Sequence, residues 1–378
     1  MQIIINEVKK FLNWKMLFVL TFVNVILYFL LIDFHIRYFP NGRPALDSYR
    51  IGIEMIEKYG AKMDETEIAD FKKTYEQQVE EADHILQSRE DFKKADITTY
   101  EQFKQMDFED QVYSDLHGKL FFEESIDLFW ELQERESLKD FHNLQQLIIN
   151  NTISAATSEQ KKRLEEIKAS GSHHVYPEVA FTNFKDFIMN VTIVIVISAA
   201  VMVSPLMIRD RILRVRDLQY TAKEGRKVYL KKVLAGIIST VMVVTVLLGV
   251  YFSLYSMNHT ATFFPVPIQS FIGPNFWYDL TFFQYIILTV FAIYVLGIVI
   301  AMLAMSVSTV VPNYIALIGV QVPFLYAMTS IAVSYLINQI INLGIPKWVV
   351  PVSYMGLAVL TGLLIALSVK REGVKDIV

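Results

Sequence analysis

The stretch FIMNVTIVIVISAAVMVSPLMI, residues 187–208, decides the fold of this chain. It contains no charged side chain, and about 20 consecutive apolar residues are enough for an α-helix to cross a lipid bilayer. Five other runs pass the same test. The six predicted spans are residues 16–38, 186–208, 233–255, 283–307, 314–337 and 349–369. We therefore predict an all-α membrane protein with six transmembrane helices.

The composition shows that apolar and charged residues are segregated along the chain. Hydrophobic residues make up 53% of the chain and charged residues 20%, with a mean hydropathy of +0.35. Residues 39–185 carry 30 acidic and 18 basic residues, a net charge of −12, whereas the remainder has a net charge of +8. There is no cysteine, which excludes disulfides and thiolate metal sites. A charged domain is thus inserted between the first two spans.

The first span has a signal peptide as its alternative interpretation. Its core, MLFVLTFVNVILYFLLI at residues 16–32, is too long for the apolar region of a signal peptide. Asp33, Phe34, His35 and Arg37 follow it instead of a small-residue cleavage site. We expect a retained helix.

The distribution of lysine and arginine predicts the orientation, because these residues are concentrated in cytoplasmic loops. Basic residues cluster in the N-terminus, in residues 209–232 and in the tail 370–378, and residues 256–282 contain none. Both termini and the basic loop are therefore predicted to be cytoplasmic in a bacterial cell membrane. Residues 39–185 and 256–282 are predicted to be extracellular.

The inserted domain shows helical patterns. Residues 65–89 and 121–149 have helical spacing of apolar positions. Thr157, Ser158, Glu159 and Gln160 precede KKRLEEI and indicate a helix start. About 145 residues are enough to bury a core of their own, so we predict a mostly helical domain.

Two cytoplasmic segments have amphipathic patterns. In residues 1–15, Ile4, Val8, Phe11 and Leu12 share one helical face, which predicts a helix lying in the membrane interface. The alternative is the irregular positive flank of a membrane helix. In residues 209–232, the recurring apolar positions are Ile208, Ile212, Val215 and Ala222, and Gly225 then interrupts the pattern. This favours a short helix that docks on a cytoplasmic partner, although positive-inside charge with anionic-lipid contact also explains the arginines.

This arrangement resembles the permease subunits of ABC-2 type transporters. The resemblance rests on the six spans, the N-terminal helix and the basic loop. The loop contains Arg209-Asp210-Arg211, Leu218-Gln219-Tyr220-Thr221, Gly225-Arg226 and Lys231-Lys232. The resemblance implies that this loop contains a coupling helix, which binds in a groove of an ATPase subunit. The resemblance assigns seven residues to the interface with the ATPase: Asp210, Arg214, Asp217, Leu218, Thr221, Gly225 and Arg226.

Several kinds of chemistry have no motif in the chain. There is no G-x-x-x-x-G-K-[ST] phosphate loop and no H-E-x-x-H. The resemblance therefore implies that ATP and Mg²⁺ are bound by a separate cytoplasmic ATPase, while this chain is no enzyme and binds no cofactor itself. The pair His173-His174 is predicted to be exposed rather than a metal site. The spans contain essentially no deep ionisable residue, which argues against an ion-coupled transporter.

Uncharged polar residues in the spans have two interpretations. Either they line a substrate path, or they form hydrogen bonds between helices. The candidates are Asn24, Ser198, Gln321, Thr329 and Ser330. In residues 338–348, Gly344, Pro346 and Trp348 suit the re-entrant outer gate that the resemblance implies. An ordinary loop with an interfacial aromatic residue is the alternative.

The leading hypothesis is a permease subunit of an ATP-driven exporter. The resemblance implies a dimer with a second permease copy, embedded in the lipid bilayer, and nothing indicates nucleic-acid binding. The acidic insert favours amphipathic or antimicrobial peptides, or drugs, as substrates. Sodium or lipid export remains open. A membrane sensor with an extracellular ligand-binding domain is the alternative of another class.

Overall fold

The structure is a computed structural model that describes residues 2–106, 109–170, 175–215, 218–219 and 225–374. Every regular element within these residues is a helix, so the predicted all-α class is confirmed. The chain divides into two compact units. The membrane unit comprises Met1–Tyr38, Asn183–His259 and Gln284–Val378, and the insert unit comprises Phe39–Thr182 and Thr260–Phe283.

Within the described residues, six helices are long and apolar enough to cross a membrane, as predicted. They are Trp14–Arg37 (TM1), Val179–Ile212 (TM2), Val228–Asn258 (TM3), Phe282–Val310 (TM4), Tyr314–Asn338 (TM5) and Val349–Val374 (TM6). TM2 and TM3 extend beyond their predicted limits of 186–208 and 233–255. The reason is that hydropathy marks the apolar stretch alone, whereas charged residues such as Lys and Arg continue a helix readily.

TM2 is the most enclosed span of the membrane unit. Its buried side chains include Val196, Ala200 and Val203, which belong to one apolar core. Gly236 of TM3 permits a close approach, since a Cβ atom there would lie 2.5 Å from Met305 Sδ in TM4. TM5 and TM6, in contrast, leave most of their apolar surface exposed. The core is therefore built around TM2, TM3 and TM4.

The N-terminal helix Gln2–Phe11 packs on this core. Phe11 is fully buried there. The other predicted apolar-face residues, Ile4, Val8 and Leu12, contact the same cluster. Asn13 separates this helix from TM1, because its side-chain oxygen accepts a hydrogen bond from Met16 N at 3.1 Å. The predicted apolar face exists, and protein side chains cover it at least in part.

The second segment of the insert unit, residues 260–283, contains the short α-helix Gln269–Ile272. The first segment contains seven α-helices that lie wholly inside its described residues 39–106, 109–170 and 175–182. They are Ala45–Tyr59, Glu65–Ser88, Glu90–Lys94, Tyr100–Lys104, Gln111–Gly118, Asp127–Ala155 and Ser158–Ser170. The predicted helix start at Ser158 is confirmed. The prediction of one helix from residue 121 is wrong, because a π-turn, Lys119–Glu123, and Ser125 at φ 48° precede the helix that begins at Asp127. This turn places Phe121 and Phe129 in one aromatic core.

Residues 260–283 belong to the insert unit, which the sequence did not predict. Arg163 binds the carboxylate of Asp279 at 2.6 Å. Tyr176 N donates to Ser270 O at 2.7 Å. The ring of Phe181 stacks on Phe271 with centroids 5.4 Å apart. The two segments thus share one core, although about 80 residues separate them along the chain.

Candidate coupling site

The basic loop between TM2 and TM3 begins at a sharp backbone break. The TM2 helix continues through Ile212, and Arg214 then adopts φ 53°. The predicted helical face of Ile208, Ile212, Val215 and Ala222 is therefore not continuous, because the first two residues belong to TM2 and the break precedes Val215; Ala222 lies outside the described residues. Before TM3, Gly225 adopts φ 52° and opens the 3-10 helix Gly225–Lys227.

The described part of the loop exposes apolar side chains. Ile212 is 55% exposed, Leu213 58% and Leu218 72%, and Arg214 is exposed beside them. Exposed apolar side chains next to positive charge are suited to contact with another protein or with lipid. Asp217 and Thr221, which the resemblance assigns to the interface, lie outside the described residues, as does the side chain of Arg226.

Asp210 lies on the inner side of this loop. It is 5% exposed and forms a buried ion pair with Lys232. Lys232 is 4% exposed and lies in the first turns of TM3. The structure therefore places Asp210 where it joins two spans, buried, whereas the side chains of Leu213 and Leu218 are exposed. Removing one partner of a buried pair leaves an uncompensated charge, which is strongly destabilising.

Arg211 binds the C-terminal end of TM4. Its Nη1 donates to Val311 O at 2.5 Å, and its Nη2 donates to Thr309 O at 2.5 Å and to Ser308 O at 3.3 Å. The last carbonyls of a helix have no partner within the helix and carry partial negative charge. The guanidinium therefore satisfies these groups and attaches TM2 to TM4.

A small cavity of about 20 Å³ lies within this charged cluster, enough room for about one water molecule. Its lining residues are Met207, Asp210, Arg211, Tyr229, Lys232, Thr309 and Glu372. Tyr229 Oη and Thr309 Oγ1 are 3.4 Å apart and connect TM3 to TM4. Glu372 is 2% exposed and brings the end of TM6 to the same place. Four spans thus meet at the base of the basic loop.

Two of the five candidate path residues lie together. Asn24 Nδ2 donates to Ser198 Oγ at 2.9 Å, and Tyr251 Oη donates to Asn24 Oδ1 at 2.9 Å. This triad joins TM1, TM2 and TM3. Asn24 therefore forms interhelical hydrogen bonds, which the sequence left as an alternative to lining a path.

The other three candidates lie on TM5. Gln321 bonds Ser204 of TM2, and Thr329 Oγ1 donates to Leu325 O at 2.9 Å within its own helix. Ser330 is exposed within the π-helical segment Met328–Ala332. The cavity that Asn24 lines, between TM1 and TM3, is not lined by any of these three residues.

The candidate outer gate is a run of turns. Gly344 N donates to Asn342 Oδ1 at 2.7 Å, and Pro346 O accepts from Val349 N at 3.0 Å as TM6 begins. Trp348 is 62% exposed. Between Asn338 and Val349 the structure contains no helix. The re-entrant helices that the resemblance implies are therefore absent from residues 339–348.

Sequence reasoning missed the roles of Arg211, Lys232 and Glu372. Lys232 was counted with the positive-inside charge, and Asp210 was assigned to the partner interface. The sequence does place an acidic residue, Asp210, at the end of one span and a basic residue, Lys232, at the start of the next, which could have indicated an ion pair between them. Within the part of the chain that the structure describes, no group of three or more His, Asp or Glu could hold a metal ion. His173 and His174 lie outside that part.

Comparison with protein families agrees with the fold. The model of the ABC-2 family transporter protein matches residues 10–361. The chain belongs to this family, and it is a membrane-embedded transport permease. Neither the curated proteins nor the solved structures contain a match.

Proposed function

We propose that the chain is the permease subunit of an ATP-driven exporter and that a separate ABC ATPase docks on the basic loop between TM2 and TM3. One observation carries this proposal. Leu213 and Leu218 are exposed beside Arg214, on a loop whose base is joined to the spans by buried charges. Exposed apolar side chains form a surface suited to contact with another protein, and arginine is enriched at protein interfaces.

The buried charges at the base of the loop support this assignment, because they attach the loop to the spans and leave its apolar side chains exposed. The buried pair Asp210–Lys232 and the Arg211 bonds to TM4 hold the base of the loop. Leu213 follows two residues after Arg211. A partner that moves Leu213 therefore moves a helix end that is already attached to TM3 and TM4. ATP and Mg²⁺ would bind to the ATPase, since this chain lacks a phosphate loop.

The insert unit supports an orientation with both termini in the cytoplasm. Residues 39–182 and 260–283 form one compact unit, so they lie on the same side of the membrane. The second segment includes most of the loop that lacks Lys and Arg, as expected of an outer loop. In this orientation the acidic insert is extracellular.

The substrate that we propose is a cationic amphipathic peptide or drug. The insert has a net charge of −12 over residues 39–185, and a single-sign field raises the local concentration of oppositely charged molecules. We further propose that two permease copies assemble, since TM5 exposes Ile315 by 83% and Tyr326 by 73%. Such a surface is compatible with lipid and with a second copy.

The test is assembly with the ATPase. The full chain is coexpressed with a candidate ABC ATPase from the same genome, and the complex is purified in detergent. Leu213→Asp and Leu218→Asp should each weaken the complex by about tenfold or more, the scale of a lost hot-spot residue. The measurements are the binding isotherm and the ATPase rate of the complex.

The matched control is Val112→Asp in the insert unit. Val112 is 58% exposed, the same fraction as Leu213, and the proposal places it on the other side of the membrane. This variant should bind the ATPase like the parent chain. If the parent chain forms no complex, or if both leucine variants bind normally, the proposed function is wrong.

A further inference from the structure

We propose that Arg211 transmits the movement of the basic loop to TM4, which makes it a positioning residue for transport. This inference rests on the proposed function, because it assumes that an ATPase moves the loop. The exposed leucines would contact the ATPase, and Arg211 would transfer the resulting displacement of the loop to TM4.

The geometry of Arg211 fits a mechanical link. Three hydrogen bonds join its guanidinium to the carbonyls of Ser308, Thr309 and Val311. Ser308 and Thr309 lie in the last turn of TM4 and Val311 follows it directly, so the arginine holds the backbone at the helix end rather than one flexible side chain. The guanidinium is planar and its donors have a fixed arrangement. A displacement of Arg211 is therefore transferred to TM4 in direction as well as in distance.

The position of Arg211 along TM2 completes the link. Arg211 lies in the last helical turn, which ends at Ile212, and the exposed Leu213 follows directly. Leu213 N still donates to Arg209 O at 3.0 Å. The residue that a partner can touch and the residue that binds TM4 are thus joined by one hydrogen-bonded turn, which moves as a unit.

The neighbouring charges hold the other side of the loop base. Asp210 is paired with Lys232 of TM3 in the adjacent buried position. Tyr229 of TM3 approaches Thr309 of TM4 through its hydroxyl. TM3 consequently follows the same motion, but this hydroxyl contact with TM4 is neutral and, at 3.4 Å, longer than an ordinary O–H···O hydrogen bond. The Arg211 bonds are the charged connection to TM4, so their removal should separate loop movement from TM4 movement.

The absence of cysteine in the chain permits a direct test. Val310, the last residue of TM4, is 58% exposed, and Val310→Cys accepts one spin label. The complex with its ATPase is placed in phosphatidylethanolamine–phosphatidylglycerol vesicles. The label spectrum is recorded without nucleotide and with ATP and orthovanadate, and the ATPase rate is measured in parallel.

We expect a nucleotide-dependent spectral change in the parent complex and its loss in the Arg211→Met variant, with the ATPase still bound. The control is Arg209→Met, because Arg209 is exposed and lies on the same turn; it should retain the change. If Arg211→Met does not assemble, Arg211→Gln, whose amide cannot span three carbonyls, is judged by the same criterion.

The outcomes separate this inference from the proposed function. If the parent chain binds no ATPase, the proposed function fails. If the complex assembles but the label at residue 310 ignores nucleotide, or responds equally in the Arg211 variants, this inference is overturned and the proposed function stands. If an Arg211 variant has a lower melting temperature but an unchanged label response, Arg211 only stabilises the end of TM4. That result also overturns this inference.

Discussion

Asn24 of TM1 donates a hydrogen bond from its Nδ2 atom to Ser198 Oγ of TM2 over 2.9 Å. The same amide accepts a hydrogen bond from Tyr251 of TM3. Asn24 Nδ2 also donates to Leu20 O at 2.8 Å within TM1. One side chain therefore connects three spans in an apolar environment, where few other polar groups are available to replace it.

Replacing Asn24 by leucine should destabilise the membrane unit. The change removes both interhelical bonds and leaves the Tyr251 and Ser198 hydroxyls without this partner. We expect a loss of about 1 to 2 kcal/mol, since interhelical hydrogen bonds in membranes contribute about 0.6 kcal/mol on average and up to about 1.7. Thermal unfolding of the detergent-solubilised chain measures it.

The control for Asn24→Leu is Ser334→Ala, whose hydroxyl bonds Ser330 O within its own helix. This variant should leave the melting temperature nearly unchanged. If Asn24→Leu keeps full stability and instead alters transport selectivity, Asn24 lines a substrate path, and the interhelical role is rejected.

Gly52 should be intolerant of a methyl group. A Cβ atom at this position would lie 2.9 Å from Phe263 Cε1 and 3.3 Å from Pro177 Cγ. Phe263 is fully buried, so its ring has little room to move. Gly52→Ala should lower the stability of the insert unit by about 1 to 3 kcal/mol through overpacking, as measured by chemical unfolding followed with tryptophan fluorescence.

Gly118 provides the matched control, because it ends the helix Gln111–Gly118 and a Cβ atom added there would meet nothing within 4 Å. Alanine has a better helix propensity than glycine by up to about 1 kcal/mol. Gly118→Ala should therefore be neutral or stabilising. Equal losses of stability in both variants would mean that the close contact with Phe263 does not explain the effect of Gly52→Ala.

Asp279 and Asp47 of the insert unit should respond to pH in opposite directions. The hydrogen bonds from Arg163 lower the pKa of Asp279 below its ordinary value of 3.8. A carboxylate with a lowered folded pKa stabilises the fold above its unfolded pKa, and this contribution is lost as the pH falls through the folded pKa. Asp279→Asn should therefore reduce amide-exchange protection in the helix Ser158–Ser170 at pH 7, and the difference from the parent chain should disappear in acid.

Burial raises the pKa of Asp47 above 3.8, although Arg43, 3.4 Å away, opposes the shift. The charged form therefore costs stability as the pH rises from the unfolded pKa through the raised folded pKa. Asp47→Asn should increase exchange protection in the helix Ala45–Tyr59 at pH 7 and have little effect in acid. Reduced protection at pH 7 would show that the attraction of Arg43 exceeds the cost of burial.

The prediction of six spans succeeded because the thickness of the bilayer fixes how many apolar residues a spanning helix needs. A run such as residues 187–208 is identified by hydropathy over about 20 residues, whatever it packs against. The apolar face of the N-terminal helix, with Ile4, Val8 and Phe11, could be predicted for the same reason: helical periodicity is local.

The position of the basic loop, the candidate coupling site, could be predicted from the sequence, but the orientation of its side chains could not. The basic loop at residues 209–232 was identified from its charge and its glycine, and Leu218 is exposed as a docking residue requires. Asp210 was assigned to the same surface, yet it is buried against Lys232. Which of two adjacent charges faces inwards depends on the rotation of the helix about its axis, and packing against TM3 and TM4 sets that rotation.

By itself, the sequence determined the all-α class, the six apolar helices and the segregation of the acidic insert, because each depends on composition or on contacts within a few residues. The tertiary structure alone decided that Arg211 binds the TM4 carbonyls, that Asn24 meets Ser198 and Tyr251, and that residues 260–283 share a core with the insert. These are contacts between residues far apart along the chain. They depend on how helices pack side by side, which local periodicity does not encode.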